Sequence, residues 1–210
     1  MTAAVLHGVL VQRDVVIRPF VPSDEESWLR CRVLSFLHTG FFDDVVTEKP
    51  DRDAPVQLVA VGLVGDGTAE VRGLLDVTVD GVEATLENVA VHPDHQSTGI
   101  GTALLSAALR ACTSLGVQTL TAWTREDPST LRWYEARGFE ETFRYLHVYG
   151  SFYRDDLPAG LAPLVLGHTG TDLVGVFLHA PIEREAEMRA AHRRVYIDRS
   201  YVLAVPADPL

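Results

Sequence analysis

Apolar and polar positions alternate in blocks along the chain, and each block predicts an element. Val15-Val16-Ile17-Arg18-Pro19-Phe20 is a short β-rich run and predicts a first strand, with residues 1–13 as a ragged leader before it. Ser23-Asp24-Glu25-Glu26 has the form of a capping box, with Ser23 as cap and Glu26 three residues on. The helix behind it carries Trp28, Leu29, Val33, Leu34 and Phe36, and should end near His38-Thr39-Gly40. Three strands follow, Val56–Val64, Glu70–Val79 and Val82–Val91, separated by Gly65-Asp66-Gly67 and by the hairpin signal Asp80-Gly81. Their connections are too short for crossovers, so an antiparallel meander is expected. His92-Pro93-Asp94 stops the third strand, because proline has no backbone donor for a ladder.

A helix from Ile100 to Leu115 sets Ala103, Leu104, Ala107, Ala108 and Ala111 on one face, and Gly116 ends it. Val117–Trp123 then reads as a strand parallel to Val82–Val91, because a helix joins them. Asp127-Pro128 opens another helix, which carries Leu131, Trp133 and Tyr134 and stops at Gly138. Phe139–Tyr149 is a strand, 150–170 a loop rich in proline and glycine, Val174–His179 a strand, Glu183–Arg193 a helix and Val195–Val205 a strand. The fold class is α/β, with a central mixed, mostly antiparallel sheet and flanking helices.

Composition narrows the function. The chain has 210 residues, 47% of them apolar, enough for one full core. Its 18 lysines and arginines against 29 acidic residues give a formal charge of −11. That argues against a nucleic-acid or anionic-membrane partner and is compatible with an amine. The two cysteines, Cys31 and Cys112, form neither a disulfide framework nor a metal spacing, so a cytoplasmic location is the default expectation. MTAAVLHGVL lacks a basic region before its apolar run and makes a poor secretion signal. No apolar run is long enough to span a bilayer.

The candidate chemistry lies between Leu86 and Ala108. A strand feeds the glycine-bearing turn Gln96-Ser97-Thr98-Gly99-Ile100-Gly101, and a helix starts inside it. The first N–H groups of a helix have no intrahelical partner, and the macrodipole adds positive potential, so such a turn holds anions. Gly99 and Gly101 carry no side chain to keep a phosphate from the backbone. A dinucleotide fingerprint would need a third glycine where Leu104 stands, and a triphosphate loop would need a lysine. The remaining pattern, Q-x-x-G-x-G behind a strand ending V-x-P, resembles the acyl-CoA pyrophosphate loop of the GNAT family of N-acetyltransferases. Asp127 through Tyr134, followed by Glu135-Ala136-Arg137-Gly138-Phe139, is similar to a second signature of that family, with Asp127 in place of the usual Asn.

The resemblance covers roughly residues 14–149, taken as the catalytic core, with 150–210 a C-terminal extension of the same domain. It implies one more strand beside Phe139–Tyr149, supplied by Val174–His179 or Tyr201–Val205, the first being preferred. It implies an acetyl group moved from acetyl-CoA to a primary amine by direct attack in a ternary complex, without metal. The acceptor would be a small-molecule or peptide amine, and family habit points to a homodimer. The rival is a non-catalytic acyl-CoA-binding regulatory module of the same fold. Val89, Ala90 and Val91 would pair with pantetheine as a mock strand, after a bulge that splays the parallel strands beyond Asn88. The N–H groups of Gln96, Ser97, Thr98, Gly99, Ile100, Gly101 and Thr102 would hold the pyrophosphate, and Asp127 and Ser129 would approach the cofactor. Tyr134 is the candidate acid for the leaving thiolate.

Glu87 is the candidate base, an ionisable residue inside an apolar strand; the plainer reading is a solvent-facing position. Asn88 and Asp76 are lesser candidates for orienting the acceptor, and the acidic, aromatic stretch 40–55 for walling it. His92 and His95 lie on a loop without a third ligand, so a metal site there is not expected.

Overall fold

The computed structural model describes residues 10–12, 15–50, 53–65, 67–150 and 177–207. The fold is mixed α/β, with helices flanking a mixed sheet, and the chain divides into two compact units. The first comprises 1–123 and 202–210, the second 124–201.

In the first unit, β1 (Leu10–Gln12), β2 (Val15–Pro19), β3 (Val56–Leu63), β4 (Ala69–Asp80) and β5 (Glu83–Val91) run antiparallel, each beside the next. The meander expected from the short connections is present. β1 was not expected: residues 10–12, read as leader, pair with β2 from Leu10↔Ile17 to Gln12↔Val15. A three-residue strand has too few positions to show alternation, and its edge pairing supplies the order that its own composition does not.

Helix α1 (Glu25–Phe36) follows a single 3-10 turn at Pro22–Asp24. Its cap is Asp24, not Ser23. Arg18 grips the Asp24 carboxylate through both its Nη groups at 2.7 Å, and Val21 N–H donates to it at 2.9 Å. Trp28 and Cys31 on α1 are buried with Val59, Val61, Val71, Leu74 and Ala90 of the sheet. Helix α2 (Ile100–Ser114) also packs on β4, where Gly73 allows close approach. A Cβ at position 73 would lie 2.7 Å from Ile100 Cγ2 and 3.0 Å from Leu104 Cδ1. Strand β6 (Thr119–Thr124) pairs with β5 in parallel, as the strand–helix–strand reading required.

In the second unit, helix α3 (Pro128–Glu135) precedes β7 (Glu140–Tyr149), and β8 (Phe177–Ala180) pairs antiparallel with β7. Helix α4 (Glu185–Ala191) follows, and β9 (Arg194–Ala204) lies on the other side of β7 from β8. Leu146, Val148, Ala180, Met188, Val195 and Ile197 form this unit's core. The end of β9 belongs to the first unit, where Val205 N–H donates to the Gln118 carbonyl at 2.8 Å. The strand expected to complete the sheet was Val174–His179. Phe177–Ala180, which overlaps it, pairs with β7 on one side, and Arg194–Ala204, which overlaps the alternative Tyr201–Val205, lies on the other. Positions 174–176 and the expected loop from 151 onward lie outside the described residues. Among the described residues, no helix is long and apolar enough to cross a membrane.

Candidate active site

The site's frame is set by one irregularity between β4 and β5. The register pairs Asp76 with Asn88 and Val77 with Leu86, so Glu87 is an extra residue on β5. This bulge falls one residue before the position expected from the resemblance. A bulge bends its strand and increases local twist. The parallel register with β6 runs from Glu83↔Thr119 to Leu86↔Ala122 and ends there, while β5 continues to Val91. Past the bulge, His92 N–H donates to the Arg72 carbonyl at 2.9 Å. That bond sets the alternation of the antiparallel ladder. Ala90 shares the ladder with Leu74, and Val89 and Val91 direct their backbone groups to the opposite edge. The Val91 carbonyl there accepts from Ser35 Oγ at 2.9 Å and Gln96 Nε2 at 3.2 Å.

The turn after β5 is shaped for close approach to its backbone. Pro93–His95 forms one 3-10 turn, and Thr98 Oγ1 donates to the His95 carbonyl at 2.6 Å. Ser97 has φ of 61° and Gly99 φ of 92°. Ser97 therefore holds a left-handed conformation uncommon for a side chain, at a place where function is the usual reason. Gly99 caps α2 without a side-chain hydrogen bond, and the first turn of α2 carries no acidic residue. Its N–H groups and macrodipole therefore meet no carboxylate of their own turn. Ile100 and Gly101 are buried on the helix side; Gln96, Ser97, Thr98 and Thr102 are exposed. Val89–Val91 and Gln96–Thr102 thus form one continuous strand, turn and helix start, as the sequence pattern indicated.

Glu87 is half-buried and accepts a hydrogen bond from Thr78 Oγ1 at 2.9 Å. Behind the bulge lies a buried polar network that the sequence reading did not assemble. Asn88 Nδ2 donates to Asp76 Oδ2 at 3.4 Å, and Arg32 Nε to Asn88 Oδ1 at 3.4 Å. Arg32 also donates to the Asp44 carbonyl at 2.5 Å and to Asp44 Oδ2 at 2.6 Å. Lys49 Nζ lies 3.2 Å from Asp76 Oδ1. The stretch 40–50 is thus tied to α1 and β4 by ion pairs. The signal for this was a pair of basic residues, Arg32 on an apolar helix face and Lys49 in an acidic run.

The second unit holds the other expected residues. Asp127 caps α3 as predicted: its Oδ1 accepts from the N–H groups of Ser129 at 3.1 Å and Thr130 at 2.9 Å. The Ser129 and Thr130 hydroxyls donate to the same oxygen. Burial raises the pKa of Asp127, but these bonds outweigh it and hold the carboxyl below its usual value. Tyr134 is only 3% exposed. Its ring stacks on Tyr201 at 5.3 Å and meets Trp133 and Phe139 edge-on at 5.1 and 5.0 Å. Burial, and secondarily Tyr201, push its phenol pKa well above the ordinary tyrosine value, so the hydroxyl is protonated at neutral pH.

His92 and His95 sit with ring centroids 5.7 Å apart, each within 3.8 Å of a carboxylate, Asp94 and Glu70 respectively. Among the described residues, no group of three or more His, Cys, Asp or Glu side chains is arranged to hold a metal ion. Cys112 is buried on α2, where burial raises its thiol pKa to about 11, as suits a packing residue.

Residues 55–141 match the family described as acetyltransferase (GNAT) domain. No curated protein matches the chain by sequence. The solved ribosomal-protein-S18-alanine N-acetyltransferase of Escherichia coli superposes with a TM-score of 0.51 at 17% identity, covering 91% of this chain and 94% of that one. The protein yncA of Salmonella typhimurium, solved with its cofactor acetyl-CoA, gives 0.52 at 16% identity, covering 94% and 98%. The PaiA N-acetyltransferase of Thermoplasma acidophilum, in complex with coenzyme A, gives 0.54 at 13% identity, covering 80% and 99%. At such identities the likeness is one of fold. The family match and the shared fold together identify residues 55–141 as a GNAT acetyltransferase domain, and the protein as an acyltransferase.

Proposed function

We propose that the protein transfers an acetyl group from acetyl-CoA to a primary amine by direct attack in a ternary complex. The observation that carries this reading is the run from Val89 to Thr102. There a strand leaves its parallel partner, and a turn with two left-handed residues opens into a helix start that has no side-chain cap hydrogen bond. An extended thiol-bearing arm can add to the strand edge, and a pyrophosphate can meet the helix N–H groups. Ala90 belongs to the β4 ladder and the Val91 carbonyl is already bonded, so pairing with pantetheine falls on Val89 and on the Val91 N–H. The pyrophosphate falls to the backbone from Gln96 to Thr102.

The chemistry needs a neutral amine and a protonated leaving group. Glu87, lifted out of register at the bulge and oriented by Thr78, is proposed to receive the proton of the attacking ammonium. Tyr134, its phenol held protonated, is proposed to donate to the departing thiolate. Asp127 and Ser129 act through the start of α3, which they cap. A cytoplasmic enzyme acting on a small-molecule or peptide amine fits this assignment. The test is calorimetry with coenzyme A together with thiol release from acetyl-CoA across a panel of primary amines. Saturable binding and amine-dependent release are expected; absence of release with every amine, despite binding, would overturn the transfer reading.

A further inference from the structure

Lys49 is the single lysine of a chain with 18 lysines and arginines. Its side chain is only 8% exposed and faces Asp76, whose side chain is 3% exposed, with Nζ 3.2 Å from Oδ1. The ammonium also lies over two rings, 5.1 Å from the centroids of both Phe20 and Trp28. Arginine is the usual cation for buried pairs, because guanidinium is weakly hydrated and binds carboxylate with two donors. This chain follows that habit at its largely buried pairs Arg125–Asp198 and Arg199–Glu141. At Asp76 alone among these it uses a compact ammonium, whose burial carries the larger desolvation cost. One carboxylate and two aromatic faces form a box matched to an organic ammonium.

The occupant is not part of the regular fold. Lys49 comes from the stretch that joins α1 to β3, held down by Asp44 on Arg32 and by the Lys49 N–H on Glu25 Oε1 at 2.8 Å. Phe42 and Val45 on the same stretch are 48% and 60% exposed. The box itself is built on β4, α1 and the end of β2. Its carboxylate is also bonded to Asn88, the residue after the Glu87 bulge. The indole N–H of Trp28 is buried with no hydrogen-bond partner among the described residues, a cost that packing for stability alone would avoid.

We propose that Phe20, Trp28 and Asp76 form a docking site for a primary organic ammonium, and that Lys49 fills it as a tethered occupant that a soluble ammonium displaces. That the displacing guest is the acceptor of acetyl transfer rests on the function proposed above; recognition of the ammonium rests on the box alone. Displacement lifts residues 41–49 and lowers apparent affinity for the guest by the fraction of time the box is vacated.

The test uses n-butylammonium as probe, with no acetyl-CoA present. In Lys49→Ala the midpoint of thermal unfolding should fall, and n-butylammonium should restore it saturably while n-butanol does not. Adding Asp76→Asn should abolish the restoration. Equal rescue by n-butanol would mean a plain apolar void and would overturn the proposal. The wild-type protein supplies the second measurement, which does not depend on a variant that folds. Saturating n-butylammonium should speed amide hydrogen exchange across residues 41–49 and leave β4 unchanged. Unaltered exchange at concentrations that rescue Lys49→Ala would mark Lys49–Asp76 as a fixed ion pair and overturn displacement. Thiol release from amines without any n-butylammonium effect strikes this site alone. The effect without thiol release strikes the transfer reading alone.

Discussion

Thr78 Oγ1 donates to Glu87 Oε1 at 2.9 Å across the point where β4 and β5 fall out of step. The hydrogen bond gives the bulged carboxylate one orientation. Glu87→Gln should lower the maximal rate by about 10²-fold, the scale of general-base assistance, with acetyl-CoA affinity unchanged. Thr78→Val should lower it less, since the carboxylate stays and only its aim loosens. Steady-state kinetics with any active amine decides this, and an unchanged rate in Glu87→Gln would assign Glu87 to structure.

Tyr134 separates chemistry from packing in one pair of variants. Tyr134→Phe keeps the stack on Tyr201 and the edge contacts with Trp133 and Phe139, so its unfolding midpoint should match the wild type. Its maximal rate should fall about 10²-fold if the hydroxyl serves the thiolate. Tyr134→Ala should cost about 3–5 kcal/mol of stability by emptying the cluster. A Tyr134→Phe protein with full rate would show the ring as core alone.

Cys31 makes the protein sensitive to alkali. Burial raises its thiol pKa to about 12, with Ser35 and the backbone near His92 opposing. An unfolded thiol titrates near ~8.5. The unfolded chain therefore releases its proton first, and stability is full below ~8.5 and is lost as pH rises toward the folded value, by roughly 1.4 kcal/mol per pH unit in that window. Urea unfolding at about pH 8 and about pH 10 should show the loss, and Cys31→Ala should reduce it. Native alkylation of Cys31 should be slow for the same reason.

We propose that the stretch after Gly150 is integral to the fold. Val205 N–H bonds to Gln118 O, and Thr113 Oγ1 donates to the Pro206 carbonyl at 2.9 Å. A protein truncated after Gly150 should be insoluble or lack a cooperative transition in circular dichroism. A soluble truncation that unfolds cooperatively would refute this.

Much of this was legible where neighbours in sequence are neighbours in space. The alternation in Val82–Val91, the stop at Pro93, the small face of α2 and the Asp127 cap each depend on residues a few positions apart, and each is present. What was missed depends on distant partners. Ser23 and Asp24 both have cap-forming side chains, but the helix starts after Asp24, whose carboxylate is held by Arg18 on β2 and by Val21 N–H and makes no cap hydrogen bond to the helix. Lys49 sits in an acidic stretch, and its partner Asp76 lies far off in sequence on β4. The place of β9 beside β7 is a matter of topology, to which its own apolar run is silent.

The closing strand has a consequence for how the chain is made. Gln118 waits for Val205, so the far edge of the first unit stays open while more than a third of the polypeptide is still being synthesised. Pairings so distant in sequence form late and slowly. Until then, the nascent chain presents β6 as an unpaired edge able to recruit foreign strands. A chaperone that shields that edge on the ribosome would raise the yield of native protein, and slowing translation after residue 150 would lower it.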